Sequence, residues 1–375
     1  MPQRYSIGKK YVFSMQLCLF LAIRFLPEKT MLINSLGLKN FKCFEELNVK
    51  FAPITLLTGA NSSGKSSLIN AILAVLQTEQ FPHYLSPNGK YVNMGSFDEI
   101  VFQNRVKWDF AIFIEFDKPD GVFDTRWERN SNGLPRQYYE TDLSFEAEDF
   151  DKDFNYIGSF RRPPERTYYQ KAKAQQKIDI DGESYIDQII EWEETSPDKL
   201  SELNEVMKQT ELFDQIQSNK LKGGRFELMV KVKPNARLTA LTDVGFGISQ
   251  FLPIIVADLQ LSDHSCLAVS QPEIHLHPKI QATFGNYLAN QIKRTQKQYI
   301  IETHSEYLLN RIRLLLVTGE LKPEDVRVLY FENDGVKSTV HDVEFTTKGA
   351  VKGAPDSFFD TYGIDIMDIA MNAIG

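Results

Sequence analysis

The sequence contains very little cysteine. Cys18, Cys43 and Cys266 are the three cysteines in 375 residues, and no two of them form a C-x-x-C pair. A disulfide framework needs an even set of cysteines, and common zinc sites use closely spaced pairs. We therefore expect neither a disulfide scaffold nor a zinc site, and the composition favours a reducing, cytoplasmic location.

Long hydrophobic runs are also missing. The segment MQLCLFLAIRFL at residues 15–26 follows a basic start, but it is interrupted by Arg24. It is shorter than the roughly 20 residues that a membrane span needs, and no small-residue cleavage site follows it. We expect no membrane span and interpret residues 1–30 as a leader or a mis-assigned start before Met31. A peripheral hydrophobic arm is the alternative.

Basic residues are outnumbered by acidic ones. Lys and Arg total 42 against 50 Asp and Glu, a formal charge of −8, which argues against a protein whose whole surface binds nucleic acid. Apolar residues make up 42% and charged residues 25%, so collagen-like and disordered classes are excluded. At about 150 residues per domain, the length predicts two to three domains, or one large domain carrying an insertion.

Strand and helix patterns alternate in two parts of the chain. Residues 31–110 and 241–345 each show short apolar runs followed by helical periodicity, which predicts an α/β fold with a largely parallel sheet covered by helices. The middle, residues 111–240, combines strand patterns with a short helical insertion. Residues 346–375 form the predicted carboxyl-terminal tail.

One contiguous motif carries chemistry on its own. GANSSGKS, residues 59–66, satisfies G-x-x-x-x-G-K-[S/T] between the apolar strand ITLLT and a helical pattern, as a phosphate-binding loop requires. Backbone N–H groups and the helix amino terminus would hold the phosphates. Lys65 would reach the β and γ phosphates, and the Ser66 hydroxyl would bind Mg²⁺. The predicted nucleotide-binding residues here are Gly59, Ala60, Asn61, Ser62, Ser63, Gly64, Lys65, Ser66 and Ser67.

Further segments indicate which class of phosphate-loop protein this is. They are LTDVGFGISQFLPIIVA (241–257), CLAVSQPEIHLHP (266–278) and YIIETHSEYLLNRI (299–312), with the region around the loop (34–73) and YIGSFRRPPERTYY (156–169). Together they resemble ABC-type ATPases of the RecF and SMC kind, and more closely the compact OLD-like, AAA-labelled ATPases of prokaryotic defence loci. The resemblance implies a P-loop ABC-type ATPase head, a mostly parallel sheet with an antiparallel β subdomain.

The same resemblance implies ligands, partners and roles. It implies ATP and Mg²⁺, a homodimer or higher oligomer that closes around nucleotide, and a separate effector, a nuclease or toxin from a neighbouring gene, in anti-phage defence. Gly245, Gly247, Ser249 and Gln250 match the signature stretch that contacts the γ-phosphate bound by the opposite subunit. His304 matches the switch histidine of the family.

The chain departs from the family at one place. The family has an acid that orders Mg²⁺ at the end of a strand, followed by Glu or Gln that positions the attacking water, whereas this chain has Ser270 and Gln271. Gln271 can orient a water but is not a base of carboxylate strength. We therefore expect ATP binding with slow or partner-dependent hydrolysis. Glu273 is a candidate substitute, although its position suggests that it points elsewhere.

Other readings remain open from the sequence. A RecF-like DNA-binding ATPase of repair or maintenance is the main alternative, since basic residues mixed with aromatics suit phosphate contacts and base stacking. An ordinary solvated surface is the competing interpretation of those basic residues. His275 and His277 could chelate a metal, and Gln77 could contact nucleotide, although a structural role is the simpler reading of each. The basic candidates are Arg161, Arg162, Arg166, Lys220, Lys222, Arg225, Lys231 and Lys233.

Overall fold

A computed structural model describes residues 32–78, 85–104, 107–117, 122–129, 135–141, 152–169 and 177–358. The predicted leader, and the tail from residue 359 onward, lie outside the described residues. Residues 1–30 and 31–375 divide into two units, and the fold below belongs to the second.

The central element is a seven-stranded sheet. Its order is β16 (Val351–Lys352), β15 (Ser338–Phe345), β14 (Val326–Asn333), β3 (Ile54–Gly59), β13 (Gln298–Glu302), β12 (Cys266–Ser270) and β7 (Phe154–Ile157). The five strands from β14 to β7 are parallel, while β15 and β16 are antiparallel additions at one edge. Parallel strands align their carboxyl ends, where ligand sites of α/β proteins form.

Two antiparallel sheets accompany the central sheet. One has the order β2 (Phe44–Lys50), β1 (Ile33–Phe41), β4 (Asp109–Phe116), β5 (Val122–Arg129), β6 (Pro135–Thr141). The other contains β8 (Tyr168–Tyr169), β9 (Gln215–Lys220), β10 (Arg225–Lys231) and β11 (Thr239–Ala240). The predicted middle segment, 111–240, thus contributes strands to all three sheets and is an integral part of the fold.

Helices connect and cover the sheets. The described helices are α1 (Lys65–Leu76), the single turn α2 (Phe97–Ile100), α3 (Tyr185–Thr195), α4 (Pro197–Gln209), α5 (Phe246–Gln260), α6 (Pro278–Thr295) and α7 (Glu306–Val317). The pair α3 and α4 is the short helical insertion that the sequence predicts. Among the described residues, the helices include none with the length and apolarity needed to cross a bilayer.

Two cores lie on opposite faces of the central sheet, because side chains alternate along each strand. Leu56 of β3 and Ile301 of β13 pack with helices α3 to α7 on one face. Leu57 and Ile300, one residue along, pack on the other face with α1 and the antiparallel sheet of β1 and β4. α1 is therefore held between two sheets. This arrangement confirms the predicted α/β head with an antiparallel β subdomain.

A buried charge ties the first of these cores together. Asp258 on α5 is fully buried. Its carboxylate accepts hydrogen bonds from Tyr287, from Gln291 Nε2 at 2.9 Å and from Tyr299 at 2.9 Å. The Lys297 ammonium lies 3.4 Å away and is equally enclosed. One carboxylate thus links α5, α6 and β13.

Replacing Asp258 with Ala should lower the free energy of unfolding by about 3–5 kcal/mol, since it leaves the buried Lys297 ammonium without its counter-charge. The matched control is Glu45→Ala, which breaks the exposed Lys337–Glu45 pair and should cost less than about 1 kcal/mol. Urea unfolding of the two variants measures the difference. Equal losses would show that the buried pair does not stabilise this core.

Candidate functional site

The phosphate loop joins the central strand β3 to α1. Gly59 ends the strand with φ 132° and Gly64 precedes the helix with φ 104°. A Cβ on Gly59 would lie 2.2 Å from the Phe331 carbonyl oxygen of the neighbouring strand β14. Only glycine fits there, because both the backbone angle and the space exclude a side chain. The loop can therefore turn sharply at the carboxyl end of the sheet.

Lys65, the loop lysine, is folded back over the loop. Its side chain is buried, and Nζ donates to the carbonyl oxygens of Gly59 at 2.9 Å and Ala60 at 2.6 Å. Burial lowers the pKa of Lys65, and the nearby Glu302 carboxylate partly opposes this. An ammonium held by backbone carbonyls gains a charged partner when a phosphate enters, so the local electrostatics favour an anionic ligand.

A cleft of about 300 Å³ opens beside the loop. It brings together residues 61–67 of the predicted loop with Gln271 and His304, which follow β12 and β13 in the chain. This part of the predicted site lies at the carboxyl ends of parallel strands. The lining residues are Lys42, Cys43, Asn61, Ser62, Ser63, Gly64, Lys65, Ser66, Ser67, Gln271, Glu302 and His304.

Glu302, which the sequence analysis missed, also lines this cleft. It is the last residue of β13 and the register partner of Ser270 on β12. Its Oε1 accepts a hydrogen bond from Ser66 Oγ at 2.8 Å, and its Oε2 accepts one from Ser270 Oγ at 2.7 Å. The available signal was a single charge ending the apolar run YIIE. A charged residue at the end of an apolar strand is uncommon, so it marks a candidate functional residue.

Arg161 holds the turn that carries Gln271 through hydrogen bonds to backbone carbonyl oxygens. Gln271 has φ 49°, and its carbonyl accepts a hydrogen bond from Arg161 Nη2 at 2.7 Å. Arg161 Nη1 also donates to the carbonyl oxygens of Ser270 and Gly158, both at 3.3 Å. Burial lowers the pKa of Arg161 to about 10. The hypothesis that Arg161 contacts nucleic acid is therefore wrong, because its guanidinium is enclosed and committed to these carbonyls.

Glu273 holds the segment that carries His304. Its carboxylate accepts hydrogen bonds from the His304 backbone N–H at 2.6 Å and from Thr303 Oγ1 at 2.9 Å. Burial, with the charge of Lys65, lowers the pKa of His304, which favours a neutral imidazole beside the phosphate loop. Glu273 thus fixes the segment of Thr303 and His304 and is not among the residues that line the cleft, as its position in the sequence suggested.

The predicted signature residues lie apart from this cleft, at the amino terminus of α5. Gly245 precedes the helix with open space around its Cα, whereas a Cβ on Gly247 would lie 2.5 Å from the His275 carbonyl oxygen. Ser249 and Gln250 are buried: Ser249 Oγ donates to the Phe246 carbonyl at 2.8 Å and Gln250 Nε2 to the Arg161 carbonyl at 3.4 Å. Their predicted contact with a second subunit's nucleotide stays a prediction.

The remaining candidates have local structural roles. Gln77 bonds through both amide atoms to backbone groups of residues 86–92, which favours the structural interpretation. His277 Nδ1 accepts from Lys279 N at the start of α6, and the His275 ring contacts Phe246. Several basic candidates pair with acids of this chain: Arg162 with Asp181 and Glu183, Arg166 with Asp243, and Lys220 with Glu194.

The donor set at the loop suits the expected metal. The Ser66 hydroxyl and the Glu302 carboxylate offer hard oxygen atoms 2.8 Å apart, and Mg²⁺ prefers one or two such ligands together with phosphate oxygens and water. No nitrogen or sulfur ligand is needed. The described residues therefore fit Mg²⁺ bound with a nucleotide.

Solved structures share this fold at low sequence identity. An SmcHead bound to the C-winged helix domain of ScpA gives a TM-score of 0.53 at 14% identity, covering 84% of this chain and 98% of that one. The Smc head domain with an extended coiled coil from Pyrococcus furiosus, bound to the C-terminal domain of ScpA, gives 0.50 at 12% identity, covering 91% and 99%. The fold is accordingly that of an SMC head domain.

Sequence comparison identifies the family. No curated protein matches this sequence. A family model described as "AAA domain, putative AbiEii toxin, Type IV TA system" matches residues 54–310, which is more than half of the chain and includes the phosphate loop, Gln271 and His304. The chain therefore belongs to this AAA-domain family, with the phosphate loop of a nucleotide-binding protein on an SMC-head fold.

Proposed function

We propose that this protein binds ATP with Mg²⁺ at the cleft beside the phosphate loop, dimerises around the nucleotide and uses that closure to control a separate effector protein. The observation that carries the proposal is the assembly of the loop, Lys65, Gln271 and His304 around one cleft. The family description names a toxin and a type IV toxin–antitoxin system, which supports an effector of the toxin kind. A role in anti-phage defence and a cytoplasmic location are part of the proposal.

Each residue of the cleft has a separate task in nucleotide binding. Backbone N–H groups of residues 61–66 and the amino terminus of α1 hold the phosphates. Lys65 exchanges its carbonyl partners for phosphate oxygens, and Ser66 supplies a ligand for Mg²⁺. When bound, Mg²⁺ neutralises charge on the phosphate oxygens.

Gln271 and His304 line the cleft, and the proposal gives them the role of acting on a water near the terminal phosphate. Gln271 can hold a water by hydrogen bonds, but its amide cannot accept the proton as a carboxylate does. The neutral imidazole favoured at His304 can accept a hydrogen bond or a proton. Slow hydrolysis follows, and a slow ATPase suits a switch whose bound state must persist.

Closure requires a second subunit that recognises the nucleotide. The first turn of α5, starting at Gly245, presents backbone N–H groups and the positive end of the helix dipole. With Ser249 and Gln250 directed inward, these backbone groups are the part of the signature that can reach a γ-phosphate across an interface. Phe246 and Tyr307 are exposed apolar side chains that a partner subunit would cover.

A nucleotide can shift this equilibrium only through its higher affinity for the closed state. The effector must therefore distinguish open from closed forms. In the two similar structures, the head domain is bound to a domain of another protein, ScpA, which supports a protein partner here. A nuclease or toxin encoded nearby is the proposed partner.

A DNA-binding ATPase is the second candidate. Lys222, Arg225 and Lys233 are exposed on or beside the hairpin of β9 and β10, where they could contact a phosphate backbone. An ATP-dependent affinity for duplex DNA that falls steeply with salt would favour this candidate. Its absence, together with co-purification of a neighbouring gene's product, would favour the effector switch.

Lys65→Ala should weaken ATP binding by about 10- to 100-fold, since a charge-assisted hydrogen bond contributes about 1.5–3 kcal/mol. Isothermal titration of ATP with Mg²⁺ measures this. Lys222→Ala, which removes an exposed lysine far along the chain from the loop, is the control and should bind as the wild type does. Undiminished affinity in Lys65→Ala would overturn the assignment of the loop.

Gly245→Glu should abolish nucleotide-dependent dimerisation while leaving ATP binding by the monomer unchanged. Gly245 has φ −57° and open space around its Cα, so both Glu and Gln fit there. Only Glu places a negative charge where the γ-phosphate of the other subunit would arrive. Gly245→Gln is the matched control, and light scattering with a non-hydrolysable ATP analogue and Mg²⁺ measures the mass. Equal dimerisation of both variants would contradict the proposed interface.

A further inference from the structure

The family resemblance implies a carboxylate at the end of β12. In this chain the carboxylate lies at the end of the neighbouring strand, β13. Ser270, the last residue of β12, occupies the position of the expected acid. Glu302, its register partner on β13, supplies a carboxylate that reaches Ser66 of the phosphate loop. β13 is hydrogen-bonded directly to β3, the strand that leads into the loop. Glu302 therefore comes from a strand one position nearer to the loop than β12.

We propose that Glu302 is the metal-orienting carboxylate of the site and that Ser270 positions it. This inference rests on the proposed binding of ATP with Mg²⁺ and adds the residue that completes the magnesium site. It gives the chain an acid at the metal despite the serine at 270.

The hydrogen bonds around Glu302 leave the metal ligand of Ser66 available. The Ser66 hydroxyl donates its one hydrogen to Glu302 Oε1, so the lone pairs of Ser66 Oγ remain for a cation. A hydroxyl that donates to a carboxylate also carries more negative charge on its oxygen, which strengthens it as a ligand. This is the arrangement that an acid at position 270 would otherwise provide.

Ser270 and Tyr156 fix the other carboxylate oxygen. Ser270 Oγ donates to Glu302 Oε2 at 2.7 Å and lies 3.0 Å from the Tyr156 hydroxyl. Because Ser270 has a single hydroxyl hydrogen, Tyr156 is the donor in the second bond. Ser270 and Glu302 are both buried, so their geometry is held by packing. A series of hydrogen bonds thus directs the Glu302 carboxylate towards the phosphate loop, and it runs through Tyr156, Ser270, Glu302 and Ser66.

The serine at 270 is compatible with a metal-orienting acid on β13. An acid there would stand beside Glu302 on the adjacent strand, and two buried carboxylates at that distance repel each other. A hydroxyl instead donates a hydrogen bond to the acid. The nearby acid Glu273 is already engaged with Thr303 and the His304 backbone, so it does not compete for this role.

Glu302→Gln tests the assignment, because it keeps the size of the side chain and removes its charge. The probe is Mn²⁺, followed by electron paramagnetic resonance in the presence of a non-hydrolysable ATP analogue. We expect Mn²⁺ affinity to fall about 10- to 100-fold, the range typical for loss of a residue that orients a metal ligand. Affinity for the analogue in EDTA should stay within about twofold of wild type, since Lys65 and the loop amides are intact.

Two further variants make each outcome decisive. Glu205→Gln, which removes the charge of an exposed carboxylate on α4, away from the cleft residues, is the control and should retain wild-type Mn²⁺ affinity. The double variant Ser270→Asp/Glu302→Gln returns the acid to β12, where the Tyr156 hydroxyl can donate to it, and should recover at least part of the lost Mn²⁺ affinity. If Glu302→Gln also loses binding in EDTA, recovery of both affinities by the double variant supports the assignment, and failure to recover overturns it.

The outcomes also separate this inference from the proposed function. Unchanged Mn²⁺ affinity in Glu302→Gln, with wild-type protein that binds the analogue, would overturn the role of Glu302 alone. A wild-type protein that binds no nucleotide would instead overturn the proposed function itself.

Discussion

The turn from β3 into α1 constrains the whole site. β3 lies between β14 and β13 in the middle of the sheet, and α1 lies between two sheets, so the loop that joins them has no room for a wider path. Gly59 makes the turn possible because its Cα lies against the Phe331 carbonyl of β14. Once the loop is fixed there, its amides and Lys65 face the carboxyl ends of β13 and β12. The walls of the cleft include Glu302 at the end of β13, with Gln271 and His304, which follow the two strands.

The polar groups beside the phosphate loop lie on different strands from those that the family resemblance implies. In place of an acid on β12, the chain has a hydrogen-bonded series from Tyr156 through Ser270 to Glu302 and the loop serine, Ser66. The sequence has a serine at 270, where the resemblance implies an acid that orders Mg²⁺. With the acid on β13, the proposed slow hydrolysis would rest instead on Gln271, which can orient a water but not take its proton. Nucleotide binding and turnover would then be separable properties of the proposed site.

The features that local sequence encodes could be predicted, and those that depend on strand pairing could not. The phosphate loop is contiguous, and its flanking strand and helix follow from hydrophobic periodicity. The pair α3 and α4 was predictable for the same reason. That Ser270 faces Glu302 depends on the register of β12 against β13, which is set by hydrogen bonds between residues 32 positions apart. Arg161 and Arg162 look alike in sequence, yet one is buried beneath the Gln271 turn and the other pairs with Asp181 at the surface.

We propose that ATP and Mg²⁺ bind beside the phosphate loop, with Lys65 on the phosphates and the metal at Ser66 under the control of Glu302. A crystal structure with Mg²⁺ and a non-hydrolysable ATP analogue would test this binding mode. We expect Lys65 Nζ to leave the Gly59 and Ala60 carbonyls for phosphate oxygens, and the Ser66 hydroxyl to bind a metal while still donating to Glu302. Phosphates bound elsewhere, or a metal held away from Ser66, would contradict it.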